Sequence, residues 1–323
     1  MISASADCVS EELVMPTGSI RMEKHRDSAG CDTPGAAGVL RENDQYIDLL
    51  KKCLCASIYD ESAWQPLQGP MRTDVSRRNP LEALSAALKH AVIRALSRRS
   101  LMLVRRKRFS VQARDEGLDW PCFGFTMVGR KRLDNVQNCV EDIIARGVPG
   151  DLVETGVWRG GTTILMRAIL KTHDIADVAV WCADSFEGMP KPTATDLKAQ
   201  AESDFSDRDY LAVSLDQVKT NFERFGLLDD QVKFLKGWFR DTLPTAPIQR
   251  IALLRMDGDL YSSSMDALTY LYPKVSPGGY VIVDDYNSWA ACRQAVNEYR
   301  LEHGIHEDLI PVDPHAVYWQ VAR

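Results

Sequence analysis

Four runs of apolar and β-branched residues end in acids. D-L-V-E-T-G-V at 151–157 carries Glu154, V-A-V-W-C-A-D at 178–184 ends at Asp184, I-A-L-L-R-M-D at 251–257 ends at Asp257, and G-Y-V-I-V-D-D at 279–285 ends at Asp284 and Asp285. Each run has the length and composition of a buried strand. Carboxylates crowded at the ends of neighbouring strands repel one another. A hard divalent cation such as Mg²⁺ relieves that repulsion, because it prefers carboxylate oxygen and keeps open positions for water or substrate. Adjacent acids can instead cap the helices that follow them, but three at neighbouring strand ends favour a cation. The expected metal ligands are therefore Asp257, Asp284 and Asp285. Asp259, in R-M-D-G-D, either caps the helix after Leu260 or approaches the site from behind the ligands.

The first run turns into a helix through E-T-G-V-W-R-G-G at 154–161. This is not the dinucleotide fingerprint G-x-G-x-x-G. Its glycines still let a ligand approach the backbone closely, and the helix N-terminus beyond them favours a carboxylate. Glu154 can hold an ammonium group. Asp184 lies 30 residues on, at the end of the next run, where an acid can accept hydrogen bonds from ribose hydroxyls. Amino acid plus ribose points to S-adenosylmethionine as the ligand.

These residues need a scaffold that aligns strand ends. Helical stretches follow the runs at 162–170 and from Val213, Ser263 and Ala291, and V-K-F-L-K-G-W at 232–238 supplies a further strand. Five β-α units are followed by two short strands joined at Asp313-Pro314. The pattern predicts an open α/β sheet with an antiparallel terminal strand and ligands beyond its carboxyl ends. The segment Phe186–Leu215 is long for a loop and is read as a lid over the site. His173, His303, His306 and His315 are read as structural, and Trp158, Trp181 and Trp319 as core.

The preceding part is different in texture. Residues 1–40, rich in Ser, Gly, Ala, Pro and Thr, are expected to form a disordered tail. A short helix is expected over 44–58, with Tyr46, Leu49, Leu50, Cys53 and Leu54 at helical spacing, and a linker over 64–80. A helix from Leu81 carries the stripe Leu81, Leu84, Leu88, Val92 and Leu96. From Lys89 to Arg114 there are nine basic residues and no acid. Residues 81–114 therefore suit either a solvated face or a peripheral contact with a membrane or an acidic partner. The domains read as a tail at 1–40, a helical extension with a basic insertion at 41–118, and a catalytic domain at 119–323.

Composition narrows the class. The chain has 323 residues, 45% hydrophobic and 26% charged, with a net charge of −6. The negative balance argues against a nucleic-acid partner. No apolar run reaches the length of a membrane span, and the N-terminus lacks the pattern of a secretory signal. Eight scattered cysteines without a C-x-x-C pair suit the reducing cytoplasm.

The stretches W-P-C-F-G-F-T-M-V-G-R-K-R-L, D-L-V-E-T-G-V-W-R-G-G, A-D-S-F-E-G-M-P, G-W-F-R-D-T-L-P, R-M-D-G-D-L-Y and S-P-G-G-Y-V-I-V-D-D-Y closely resemble the macrocin and mycinamicin O-methyltransferase family. The resemblance implies a class I, Rossmann-like methyltransferase fold and Mg²⁺- and S-adenosylmethionine-dependent methylation of sugar hydroxyls on small-molecule glycosides of secondary metabolism. It implies Asp257, Asp284 and Asp285 as metal ligands. It places the donor against Thr126, Met127, Glu154, Gly156, Asp184, Ser185 and the Gly237–Trp238 turn, with Val157 and Trp158 continuing the glycine turn. Two features depart from the family pattern: residues 1–40 and 64–114 have no matching motif, and Phe125 stands where relatives often have His. Asp257 is the expected general base and Asp259 the alternative. The expected assembly is a homo-oligomer. Two other readings compete, a nicotinamide-dependent oxidoreductase and an inactive scaffold docking through its basic segment; the absent dinucleotide fingerprint opposes the first and the intact acids oppose the second.

Overall fold

The computed structural model describes residues 36–59, 63–66, 88–89, 91–96, 98–99, 101, 103–107, 110–119, 123–199, 206 and 209–322. The chain divides into two compact units, residues 1–40 and 41–323. Of the tail expected over 1–40, residues 1–35 lie outside the described residues, and residues 36–40 open helix α1 (Ala36–Leu54). The helix therefore starts earlier than the expected Asp44, and it ends at a turn in which Ala56 takes a positive φ of 52°. Its buried stripe is Ile47, Leu50 and Leu54; Tyr46 and Leu49, expected in that stripe, are exposed.

The second unit continues through residue 119 without a break. A small antiparallel ribbon, β1 (Ala63–Pro66) with β2 (Val104–Lys107), occupies part of the expected linker and insertion. Residues 81–87 of the basic segment lie outside the described residues; Leu88 and Val92 are exposed on a helical stretch. Arg114 does not belong to a basic surface. It is buried in helix α2 (Val111–Asp115), pairs with Asp119 at 2.8 Å and donates to the Ala56 carbonyl at 2.6 Å. No helix among the described residues is long and apolar enough to cross a membrane.

The sheet is built by β3 (Asp151–Thr155), β4 (Val180–Asp184), β5 (Val232–Lys236), β6 (Ile251–Met256), β7 (Val275–Val283), β8 (Ile310–Pro311) and β9 (Val317–Gln320). Their spatial order is β5-β4-β3-β6-β7-β9-β8, parallel throughout except for β9, which runs antiparallel to β7 and β8. Around it lie α3 (Arg130–Arg146), α4 (Gly161–Thr172), α5 (Ala194–Ala199), α6 (Leu215–Arg224), α7 (Phe239–Thr242), α8 (Tyr261–Leu271) and α9 (Ala290–Glu302). β6 is apolar except for Arg255 and is buried at every position, as a strand covered on both faces requires. α4 is buried from Gly161 to Leu170, so it serves as the core helix beneath the first turn.

Register does the aligning. Thr155 pairs with Ala183 on one side and Met256 on the other, and Met256 pairs with Val283. The ladder continues one residue past the strands: the Gly156, Asp257 and Asp284 amides donate to the Ala183, Thr155 and Met256 carbonyls at 2.8–2.9 Å. Gly156, Asp184, Asp257 and Asp284 thus stand in one row along the carboxyl edge. Phe222 of α6 supports that row from below. It is fully buried, packs edge-on to Phe234, and lies 3.3 Å from where a Cβ on Gly160 would sit. Phe222→Ala should lower unfolding free energy by about 3–5 kcal/mol, the usual cost of emptying such a site. Urea denaturation checks this; a loss near zero would show that Phe222 does not wedge the glycine turn in place.

Candidate active site

Two cavities open along this edge. One of about 280 Å³ is lined by Asp184, Ser185, Trp238 and Phe239, the other of about 420 Å³ by Thr126, Glu154, Asp284, Asp285 and His315. Met127, Gly156, Trp158, Asp257 and Asp259 line both, so the cavities meet at the glycine turn and the acids.

The turn leaves no room for side chains. Gly156 has a φ of +87°, and a Cβ there would fall 1.8 Å from the Asp257 carbonyl oxygen. Trp158 takes φ +48°, an unusual conformation for a bulky residue. Asp184 holds it there: its Oδ2 accepts from the Val157 amide at 2.7 Å and the Trp158 amide at 3.2 Å, and its Oδ1 accepts from the Phe186 amide at 2.7 Å. The aspartate expected to face a ribose is therefore also the clamp that ties the second strand to the first turn. Ser185 Oγ donates to the Gly188 carbonyl at 2.7 Å and accepts from the Glu187 amide. Gly237, at φ +142°, donates to the Asp184 carbonyl at 2.9 Å and sets Trp238 against the smaller cavity. Thr126 Oγ1 accepts from the Val128 amide at 3.2 Å. The segment after Phe186 reaches back over this region: Trp158 Nε1 donates to the Tyr210 carbonyl at 2.9 Å, and Asp196 of α5 accepts from the Ser262 amide at 2.8 Å.

The acids lie around a guanidinium that the sequence reading passed over. Arg255, 1% exposed, pairs with Glu154 of the neighbouring strand, with Asp284, and with Asp257 at 3.1 Å. Arg132 of α3, also unforeseen, pairs with the other Asp284 oxygen and with Asp313 at 2.6 Å. Burial raises a carboxyl's pKa, but the charges of Arg132 and Arg255 outweigh it at Asp284 and hold that group below its ordinary value. The opposite holds for the rest. Burial raises Asp257, reinforced by the Asp284 charge; burial and Asp257 push Asp259 up to about 7; burial with Asp259 and Asp257 raises Asp285 well above the usual range. Glu154 is pushed up to about 8, chiefly by burial.

Of the expected ligands, the structure brings Asp257 and Asp285 together and adds Asp259. The ligand atoms of these three lie within 4.8 Å of one another. Asp259 is not a helix cap: Leu260 is the N-cap of α8, and Asp259 itself takes φ +54°. Asp284 differs in facing two guanidiniums, although each of its oxygens retains a second lone pair. Two arginines thus pair with four carboxylates, Glu154, Asp257, Asp284 and Asp313, while Asp259 and Asp285 crowd against Asp257. Asp285 Oδ2 and Glu154 Oε2 are buried without a hydrogen-bond partner. The excess negative charge and these orphaned oxygens fit a divalent cation at the aspartates and an ammonium group at Glu154.

The Macrocin-O-methyltransferase (TylF) family model matches residues 43–321. The chain belongs to this family. It is an O-methyltransferase. The match takes in residues 64–114, where the sequence motifs gave no counterpart. The chain is 50% identical over 283 residues to demethyldecarbamoylnovobiocin O-methyltransferase of Streptomyces niveus, covering 87% of this chain and 95% of that one. It is 56% identical over 205 residues to 8-demethyl-8-(2,3-dimethoxy-alpha-L-rhamnosyl)-tetracenomycin-C 4'-O-methyltransferase of Streptomyces olivaceus, covering 63% and 78%. The solved structure of the O-methyltransferase NovP superposes with a TM-score of 0.70 at 45% identity, over 87% of this chain and all of that one.

Arg255 carries a direct test of the site's electrostatics. Arg255→Met leaves Glu154 and Asp284 in a dry interior without a shared cation. The loss in unfolding free energy should be about 3–5 kcal/mol. Chemical denaturation at neutral pH checks it; a variant as stable as the parent would show that the acids do not depend on this guanidinium.

Proposed function

We propose that the chain moves the methyl group of S-adenosylmethionine to a sugar hydroxyl of a small-molecule glycoside, with Mg²⁺ bound at the aspartates. One observation carries the reading: the two cavities meet at Gly156, Asp257 and Asp259, so a donor with its adenosyl end in the smaller cavity and its methionine end reaching past the glycine turn into the larger one meets, beside the acids, an acceptor in the rest of the larger cavity. The names of the similar enzymes, which include a rhamnosyl acceptor, support a sugar hydroxyl.

The smaller cavity takes the adenosyl end. Asp184 and Ser185 face the ribose, while Trp238 and Phe239 supply apolar surface for the base. Glu154 Oε2, lacking a protein partner, accepts from the donor's ammonium. Gly156 lets the donor lie against the backbone, and Thr126, Met127, Val157 and Trp158 close around the methionine part. Asp257 and Asp285 would hold the cation together with Asp284, which also anchors Arg132 and Arg255. When bound, Mg²⁺ acidifies a hydroxyl and fixes its direction.

The proton falls to Asp259 rather than to Asp257, the sequence-based expectation. Asp257 is bonded to Arg255, which weakens it as a base, whereas no guanidinium among the described residues pairs with Asp259. Its carboxylate lies with those of Asp257 and Asp285 where the two cavities meet, within reach of a hydroxyl brought to the acids. The protein's remaining contribution is alignment of oxygen, methyl and sulfur, which in favourable cases is worth about 7–11 kcal/mol.

Methyl transfer from labelled S-adenosylmethionine to demethyldecarbamoylnovobiocin tests the reading. EDTA should abolish turnover and Mg²⁺ restore it; full activity in chelator would exclude the metal role. Asp285→Asn should raise the Mg²⁺ concentration required. Asp259→Asn should leave that requirement in place and lower kcat about 10²–10⁴-fold, the range of a lost general base. If Asp259→Asn instead shifts the Mg²⁺ requirement and spares kcat at saturation, Asp259 is a ligand. Asp184→Ala should weaken S-adenosylhomocysteine binding by about 1.5–3 kcal/mol in calorimetry; an unchanged affinity would remove Asp184 from the donor site.

A further inference from the structure

His315, read from sequence as structural, occupies a different position. It lines the larger cavity together with Ser288, Trp289 and Leu118, and none of these four lines the smaller one. Two loops fix its backbone. The His315 amide donates to Asp313 Oδ1 at 2.8 Å, and its carbonyl accepts from the Asn287 amide at 2.8 Å. Asp313 Oδ2 in turn accepts from Arg132, whose other contact is Asp284. The ring is fixed as well: Nδ1 lies 2.9 Å from Ser288 Oγ, and Ser288 follows Asp285 on the turn leaving β7, its amide donating to the Asp285 carbonyl at 3.1 Å. Among the described residues Nε2 has no hydrogen-bond partner. A polar side chain is thus held rigidly on the acceptor wall, coupled through Arg132 and Asp313 to the acids, with one nitrogen left over.

We infer that His315 is an acceptor-binding residue, hydrogen-bonding through Nε2 to a sugar hydroxyl beside the one that is methylated, and that Ser288 positions its ring. The inference rests on the glycoside reading above. A vicinal hydroxyl suits this nitrogen because it both donates and accepts, so it meets either imidazole tautomer that the Ser288 bond selects. Trp289 and Leu118 add apolar surface for the sugar's C–H faces.

The test uses the full chain, Mg²⁺, S-adenosylmethionine and demethyldecarbamoylnovobiocin as the probe. His315→Phe keeps a planar ring and removes both nitrogens. Its acceptor KM should rise about ten-fold, the size of one lost hydrogen bond, with kcat within about two-fold of wild type and S-adenosylhomocysteine affinity and Mg²⁺ requirement unchanged. His315→Gln, which retains a side-chain amide near the Nε2 position, should recover part of the KM. Ser288→Ala, at an exposed position, should raise KM in the same direction by a smaller factor. An unchanged acceptor KM in His315→Phe, or a fall in kcat alone, overturns the proposal while leaving the glycoside reading intact. If His315→Phe does not fold, Ser288→Ala decides, and an unchanged KM there overturns it. If the wild-type protein transfers no methyl group to the probe, the glycoside reading fails and this inference fails with it.

Discussion

The Arg255 guanidinium sits near the carboxyl end of the sheet's central strand, buried, in contact with carboxylates from three adjacent strand ends. Removing a guanidinium from water costs several kcal/mol unless its charge is met, and here Glu154, Asp257 and Asp284 meet it. Glu154 and Arg255 are register partners in β3 and β6, so sheet pairing itself brings them together. Once that pair is fixed, Gly156 and Asp257 must follow side by side, and the first turn has no space for any side chain at 156. The geometry of both cavities descends from this contact.

Arg255 and Arg132 divide the acids into two kinds. Asp284, facing both, stays charged and ties α3 to the sheet. Asp257, Asp259 and Asp285 converge with less compensation, and burial drives them toward protonation. A protein that wanted only stability would neutralise such a cluster with apolar side chains. A cluster left short of positive charge suits reactants that bring it: a divalent cation and a sulfonium donor carrying an ammonium group. The same network runs outward through Asp313 to His315, so one wall of the larger cavity is braced by the residues that hold the acids.

Much of this was legible in the sequence because strand ends are easy to find. Apolar runs stopping at acids located the carboxyl edge, and the glycine turn located the junction of the two cavities. Arg255 was visible as well, since a charged residue within I-A-L-L-R-M-D demands a buried partner, and Glu154 stands equally far from its own strand end. The spacing alone did not announce that pairing, because it depends on which strands become neighbours. Arg132 was harder. It lies on α3, whose polar face reads as solvated until the fold turns it toward Asp284 and Asp313. Sequence alone allows Asp259 either a helix cap or an approach to the site; in the fold it takes a left-handed backbone and joins the other acids. Arg114 counted as one of nine basic residues until burial against Asp119 separated it from them. The expected boundary near 119 follows a change in sequence texture, and Gly117 and Leu118 just before it line the larger cavity. Local composition reports a segment's solvent exposure poorly when long-range ion pairs pull it inward.

The proposed divalent cation at Asp257, Asp284 and Asp285, where the two cavities meet, can be located in a crystal. The decisive experiment is anomalous diffraction from crystals grown with Mn²⁺ and S-adenosylhomocysteine. One strong anomalous peak is expected within bonding distance of Asp257 and Asp285 oxygens, with density for the ligand's amino group beside Glu154. A fully occupied S-adenosylhomocysteine with no anomalous peak at the aspartates, or a peak elsewhere on the molecule, would contradict it.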